Sequence, residues 1–170
     1  MLKSLEKSTH FGIFSLRLRD LLKTLSDMGH GDELVLADAN FPSHAVARRL
    51  ILLPGMDGVD VLKAVLSVFP LDTYSSPAFV MDLTESDKEK GMPEPEIWPD
   101  YERLCGQPLG KLERFEFYER ARKAYAVIQT GEERQYGNLI LVKGVVLAQE
   151  KGPGHTRGAE YYRNLGKREA

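Results

Sequence analysis

Four short stretches hold residue types suited to acid–base chemistry on a small polar ligand. Gly29-His30-Gly31 sets an imidazole between two glycines, so a ligand can approach the backbone closely and the ring is unscreened. A loop histidine is a candidate general acid or base near neutral pH; the alternative is a solvated loop side chain. Asp38 closes ELVLAD, an apolar run over Glu33 to Asp38. The carboxyl end of a strand is where α/β folds place ligands, and an ionised carboxylate there can accept two sugar hydroxyls. The alternative is an Asx-type turn on the Ala39-Asn40 backbone. Arg114 opens Arg114-Phe115-Glu116-Phe117-Tyr118-Glu119-Arg120. Its guanidinium can donate a fork of hydrogen bonds to ligand oxygens. The alternative is a helix with core aromatics and i, i+4 pairs such as Glu116–Arg120. Tyr136-Gly137-Asn138 offers a phenol and an amide, donors and acceptors that suit a polyol. An ordinary turn entering a strand fits equally.

The elements that must position these residues follow from hydrophobic spacing. Leu18, Leu21, Leu22 and Leu25 recur at i, i+3, i+4, i+7, which predicts a helix, with Gly29 as its C-cap. Strands are expected at Glu33 to Asp38, Arg49 to Leu53, Pro77 to Leu83, Tyr125 to Thr130 and Asn138 to Lys143. Helices are expected at Val59 to Phe69, around Asp100 to Cys105, and at Phe115 to Lys123. Glu85 to Pro99 is charged and carries Pro93, Pro95 and Pro99, so it reads as an exposed, loosely ordered excursion. Strands alternating with helices give an α/β class: a single domain with a mixed β-sheet flanked by helices. The last two strands, separated by a polar turn, are expected to pair antiparallel. The domain is expected over residues 1–148, with 149–170 as a flexible basic tail. From Lys151 to Ala170 there are four glycines and five Lys or Arg against two acidic residues, with no apolar period.

Composition narrows the function. With 23 Lys plus Arg against 25 Asp plus Glu, the net charge of the 170 residues is −2. That field is too weak to recruit nucleic acid or an anionic membrane. A 42% hydrophobic and 28% charged composition is that of a globular domain. The single cysteine, Cys105, excludes an internal disulfide and a cysteine-based zinc cluster. The first twenty residues alternate charged and apolar positions and lack the apolar core of a signal peptide, so a cytoplasmic location is expected. His10, His30, His44 and His155 do not fall at metal-ligand spacing. Glycine-rich phosphate loops, the nucleophile-elbow serine and the zinc-protease helix motif are absent. Leu52 to Val65 (LLPGMDGVDVLKAV) imitates a response-regulator receiver. The position four before Pro54 is Leu50, however, and Asp38 stands without an acidic neighbour. A receiver without its nucleophile forms no acyl phosphate. Pro54-Gly55 therefore reads as a turn and Asp57 as a helix cap.

GHGDELVLADANFPS, RFEFYERARKAYAVIQTGE and YGNLILVKGV resemble the L-fucose mutarotase family, related to the D-ribose pyranases. The resemblance runs from about Leu16 to Val145 and is thin between Pro70 and Leu112. The RFEFYERA segment favours the fucose branch. The resemblance implies an enzyme that interconverts α and β sugar anomers without metal or cofactor. It matches His30 to the family's proton donor, Asp38 and Arg114 to substrate-binding positions, and Tyr136, Gly137 and Asn138 to a substrate-binding segment. It also implies a homo-oligomer, a decameric ring in bacterial members, with sites near subunit contacts. The N-terminal extension, the proline-rich middle and the basic tail depart from the pattern.

Ring opening needs one proton delivered to the ring oxygen and one removed from the anomeric hydroxyl. His30 is expected to supply the first, with Tyr136 or a water taking the second. Asp38 and Arg114 would hold hydroxyls and so fix which sugar oxygen meets His30. A non-catalytic monosaccharide-binding or transport-accessory protein, and a degenerate receiver acting as an interaction module, are the competing readings. Saturation-transfer NMR of anomeric protons separates them, using L-fucose and D-ribose with the purified protein. Catalysed exchange is the expected outcome. Binding without exchange would leave the accessory reading, and neither would leave the receiver.

Overall fold

A computed structural model describes residues 18–145, so the expectations for the chain's two ends, including the 149–170 tail, lie outside the described residues. Helix α1 covers 18–27. It is followed by β1 (Glu33–Ala37), α2 (Ser43–Val46), β2 (Leu50–Leu53), α3 (Gly58–Leu66), β3 (Ala78–Met81), α4 (Glu85–Glu89), α5 (Trp98–Cys105), β4 (Gly110–Leu112), α6 (Arg114–Lys123), β5 (Ala126–Thr130) and β6 (Leu139–Val142). The strands form one six-stranded sheet in the order β2-β5-β1-β6-β3-β4. The α/β class and the mixed sheet are as expected. Among the described residues, no helix is long and apolar enough to cross a membrane.

Alternate residues of β1 face two cores. Leu34 and Leu36 join Leu25, Val61, Leu62, Trp98 and Tyr101 on one side. Val35 and Ala37 join Phe41, Val46, Phe117 and Ala121 on the other. Both faces are covered, which is why these strands read as continuous apolar runs rather than alternating ones.

The polarity of one strand decides where the chemistry can assemble. β1, β5 and β2 pair in parallel, as do β3 and β4. β6 runs antiparallel to both of its neighbours, β1 and β3. The start of β6 therefore lies beside the ends of β1 and β3, on one edge of the sheet. The expected β5–β6 pair does not form, because β1 lies between them. The connecting loop docks instead of turning tightly. Gly131 donates to the Met56 carbonyl (2.7 Å), and the Glu132 carbonyl accepts from Ala39 (2.8 Å), so β6 lands on the far side of β1.

Other expectations shift as well. Leu21 and Leu25 are buried, but Leu18 and Leu22 are 44% and 48% exposed, so only half of the α1 stripe packs on this chain. Gly31 (φ +82°), not Gly29, takes the left-handed conformation. Asp57 caps α3 as expected, accepting from the Asp60 amide. Residues 85–99 are ordered by local chemistry. Thr84 caps α4, and Ile97 and Trp98 are buried. Strand β4 was not foreseen. Its Gly110 is required because any Cβ would strike the Phe79 ring.

Gly58, at the start of α3, faces the Tyr101 hydroxyl so closely that a Cβ would collide with it. Gly58→Ala is expected to destabilise the fold by about 1–3 kcal/mol through overpacking. Urea unfolding of the two proteins checks this.

Candidate active site

The edge where β1 and β3 end and β6 begins carries a cavity of about 570 Å³. Its lining includes Asp38, Asn40 and Phe41 after β1, Met81, Thr84 and Asp87 around the end of β3, Arg114 and Tyr118 on α6, and Gln135, Tyr136 and Asn138 before β6. Asp38, Arg114, Tyr136 and Asn138, each singled out from the sequence, thus meet in one place.

Asp38 and Asn138 lock together. The Asp38 amide donates to Asn138 Oδ1 (3.0 Å), and Asn138 Nδ2 donates to Asp38 Oδ2 (2.6 Å). Asp38 Oδ1 accepts from the Asn40 amide (3.0 Å), so the Asx turn forms as well. The turn and the ligand site are one structure rather than alternatives. Asp38 is only 4% exposed. Burial pushes its carboxyl above the ordinary carboxylate range, against the hydrogen bonds from Asn40, Phe41, Asn138 and Gly137.

Gly137 acts through its lack of a side chain. A Cβ there would lie 2.9 Å from Glu132 Cγ and 3.4 Å from Asp38 Cβ. Its carbonyl accepts from the Tyr101 hydroxyl (2.9 Å). Burial drives the Tyr101 phenol up, so it stays a donor.

Tyr136 sits at φ +60°, a left-handed conformation that costs a bulky residue on the order of 1 kcal/mol. Its backbone carbonyl accepts from Trp98 Nε1 (3.1 Å). Its hydroxyl accepts from the Thr84 amide (3.2 Å) and donates to Asp87 Oδ2 (2.5 Å). Asp87 also accepts from Thr84 Oγ1 (3.0 Å). The Tyr136 hydroxyl, then Thr84, hold the Asp87 carboxyl below its usual range. Sequence reading missed Thr84 and Asp87. Thr84-Glu85-Ser86-Asp87 has capping-box spacing, a signal that could have ordered this segment.

Arg114 is exposed at the start of α6, and its guanidinium lies 5.6 Å from the Tyr118 ring centroid. Among the described residues no side-chain hydrogen bond of Arg114 is present, so its fork faces the cavity with donors to spare. The expected Glu116–Arg120 pair is replaced. Arg120 bonds Glu33 of β1 (2.6 Å) and covers the Phe79 ring. Of the segment's aromatics, Phe117 is core, Tyr118 lines the cavity and Phe115 is 71% exposed.

His30 lies elsewhere. It precedes β1, whereas Asp38 follows it. At about 3.3 Å per residue of strand, the two are on the order of 20 Å apart. Its Nε2 lies 3.3 Å from Asp72 Oδ1, and its ring meets Tyr74 edge-on at 5.8 Å. One chain does not bring His30 into the cavity. Among the described residues, no three His, Cys, Asp or Glu side chains converge to hold a metal ion.

The family model for the RbsD / FucU transport protein family matches residues 15–146. The chain belongs to this family. Fucose mutarotase of Mus musculus is 54% identical over 144 residues, 79% of this chain and 94% of that protein. The fucose mutarotase of Streptococcus pneumoniae, solved in complex with L-fucose, has a TM-score of 0.70 and 43% identity, covering 75% of this chain and 93% of that one. Bacillus subtilis RbsD complexed with D-ribose has a TM-score of 0.57 and 28% identity, over 75% of this chain and 93% of that one. The family fold is this one: a single mixed sheet flanked by helices.

The cavity's buttress makes the site acid-sensitive. Buried Glu132 takes two bonds from the Arg134 guanidinium (2.8 and 2.7 Å) and the Gly58 amide (3.1 Å). Arg134 pulls the Glu132 carboxyl from 4.5 down to about 2. A folded value below the unfolded one means stability that is complete above about pH 4.5 and lost as pH falls toward 2. Allowing for the solvent that reaches Arg134, this amounts to roughly 2–3 kcal/mol. Glu132→Gln is expected to be less stable at neutral pH and to lose less on acidification. Denaturant unfolding across pH 2–7 reads both.

Proposed function

We propose that this protein interconverts the α and β anomers of L-fucose by ring opening and reclosure. The observation that carries the reading is the cavity at the β1, β3 and β6 edge, which gathers a held carboxylate, a free guanidinium and a tyrosine bonded to a second carboxylate. The likeness to a mutarotase solved with L-fucose supports the choice of sugar.

In this mechanism Asp38 and Arg114 hold sugar hydroxyls and Asn138 keeps Asp38 in place. The ring oxygen takes a proton from His30 as its bond to the anomeric carbon breaks. The anomeric hydroxyl gives its proton to the Tyr136 oxygen, which passes its own to Asp87 along the existing hydrogen bond. The anomeric carbon becomes an aldehyde, rotates, and closes on its other face as the protons return.

His30 reaches such a site from a second copy of the chain, because its own cavity is a full strand length away. The protein therefore acts as a homo-oligomer, a closed ring such as a decamer being one arrangement that repeats the same contact. We place it in the cytoplasm, where no disulfide is needed. A sugar-binding or transport-accessory role is the second reading, favoured by the separation of His30 from the cavity within one chain.

His30→Ala is expected to abolish catalysed anomer exchange of L-fucose while leaving the fold intact. Oligomers reassembled from His30→Ala and Asp38→Asn chains are expected to recover activity that neither variant has alone. Full exchange by His30→Ala would sink the assignment. Failure of the mixed oligomers would remove the shared site.

A further inference from the structure

Helix α5 lends no group to the mechanism above, yet two of its side chains grip the segment that does. Trp98 and Tyr101 stand three residues apart and so share one face of the helix. Trp98 Nε1 donates to the Tyr136 carbonyl (3.1 Å), and the Tyr101 hydroxyl donates to the next carbonyl, that of Gly137 (2.9 Å). Both rings are buried. Trp98 is braced in turn by Lys111 of β4, whose ammonium lies 4.6 Å from the ring centroid. Tyr101 is accommodated by Gly58, which leaves room for its hydroxyl. Among the described residues, Tyr136 is the one non-glycine with a positive φ, +60°. A tyrosine keeps such a conformation only where its surroundings over-determine it. Here the residue is fixed at both ends. Trp98 holds the carbonyl, and the Thr84 amide and Asp87 hold the hydroxyl.

We propose that Trp98 is a positioning residue for proton uptake at Tyr136: its N–H holds the Tyr136 backbone in the left-handed conformation that sets the phenol between the sugar and Asp87. The proposal rests on the assignment of Tyr136 as the group that takes the anomeric proton. A phenol oxygen has two lone pairs and one hydrogen. The Thr84 amide uses one lone pair and Asp87 takes the hydrogen, so a single lone pair is left to meet the anomeric hydroxyl. The sugar O–H bond breaks as a new O–H bond forms there, and the original phenol hydrogen passes to Asp87 Oδ2. The electron pair left on the anomeric oxygen becomes the second bond of the aldehyde. The direction of that one lone pair is set by where the ring stands, and the ring stands where φ +60° puts it. Without its donor the carbonyl no longer resists relaxation toward negative φ, and the lone pair swings off the line between sugar and Asp87. Trp98 stands behind the cavity rather than in its lining, so it acts through Tyr136 and touches no sugar. The loss falls on the proton step, because the groups assigned to sugar binding, Asp38 and Arg114, are carried by the end of β1 and by α6.

Trp98 is the single tryptophan of the chain, so expression with benzothienylalanine in place of tryptophan alters this side chain alone. The analogue keeps the shape of the ring and carries sulfur where the indole has its N–H. The full chain bearing it is expected to show a kcat for L-fucose anomer exchange lower by about three- to tenfold, the effect of one neutral hydrogen bond, with KM little changed. Trp98→Phe is expected to lose at least as much. In a Tyr136→Phe background, where a water takes the proton, the same sulfur replacement is expected to cause no further loss. A merely structural tryptophan would lower stability in both backgrounds and leave the kcat of the folded protein unchanged. The proposal is overturned if the benzothienyl protein keeps the wild-type kcat, or if its full loss persists in Tyr136→Phe. Tyr136→Phe with wild-type kcat would remove the proton role of Tyr136, and that of Trp98 with it. Wild-type protein that leaves L-fucose exchange at the uncatalysed rate would instead sink the reading of the function itself, and the positioning role would go with it.

Discussion

Two hydrogen bonds between Asp38 and Asn138 join the end of one strand to the start of another, and the cavity is built around them. They extend the β1–β6 ladder, in which Leu36 lies opposite Leu139, by one side-chain rung. Asp38 is buried, so without these partners its carboxylate would be an uncompensated charge in the protein. With them it is held in one orientation toward the cavity. Gly137 makes the approach possible, since a side chain there would press on both Asp38 and Glu132. Tyr101, Glu132 and Arg134 close the arrangement from behind.

The antiparallel strand divides the chemistry between two edges. At one lie the groups to which the proposed mechanism gives sugar binding and proton uptake: Asp38, Arg114, Tyr136 and Asp87. At the other lie His30 and Asp72, tied to the end of β6. A strand is rigid along its length, so no rotamer change closes that gap. In the proposed mechanism, a site that uses both edges is built between copies of the chain. Among the described residues, the apolar Leu18 and Leu22 stand outward on α1.

The site suits a neutral ligand. Its carboxylates are satisfied within the protein: Asp87 by hydrogen bonds from Tyr136 and Thr84, and Glu132 behind it by Arg134. Among the described residues, Arg114 makes no side-chain hydrogen bond and so keeps its donors for a ligand. An overall charge of −2 fits this pattern, in which a few placed hydrogen bonds rather than a field select the sugar.

Much of this was legible in residue order. The helices at α1, α3 and α6 and five of the strands follow from hydrophobic spacing, and the site residues from their types at strand ends. Local periodicity encodes local structure, because each side chain's exposure along a helix or strand is set by its near neighbours. Strand β4 is three residues long and its glycine answers to Phe79 on another element, so it leaves no periodic trace. Asp87 looked like part of a charged loop, because besides the local Thr84 cap it is held by a tyrosine 49 positions away. The sequence by itself determined an α/β domain, a capped α3 and the residues proposed to form a polyol site. Only the tertiary structure decided that β6 passes β1 before pairing, which gathers Asp38, Asp87, Arg114 and Tyr136 and leaves His30 with Asp72 at the far edge. The reason is that strand order and polarity are set by long-range backbone pairing, which carries no signature in the spacing of neighbouring residues.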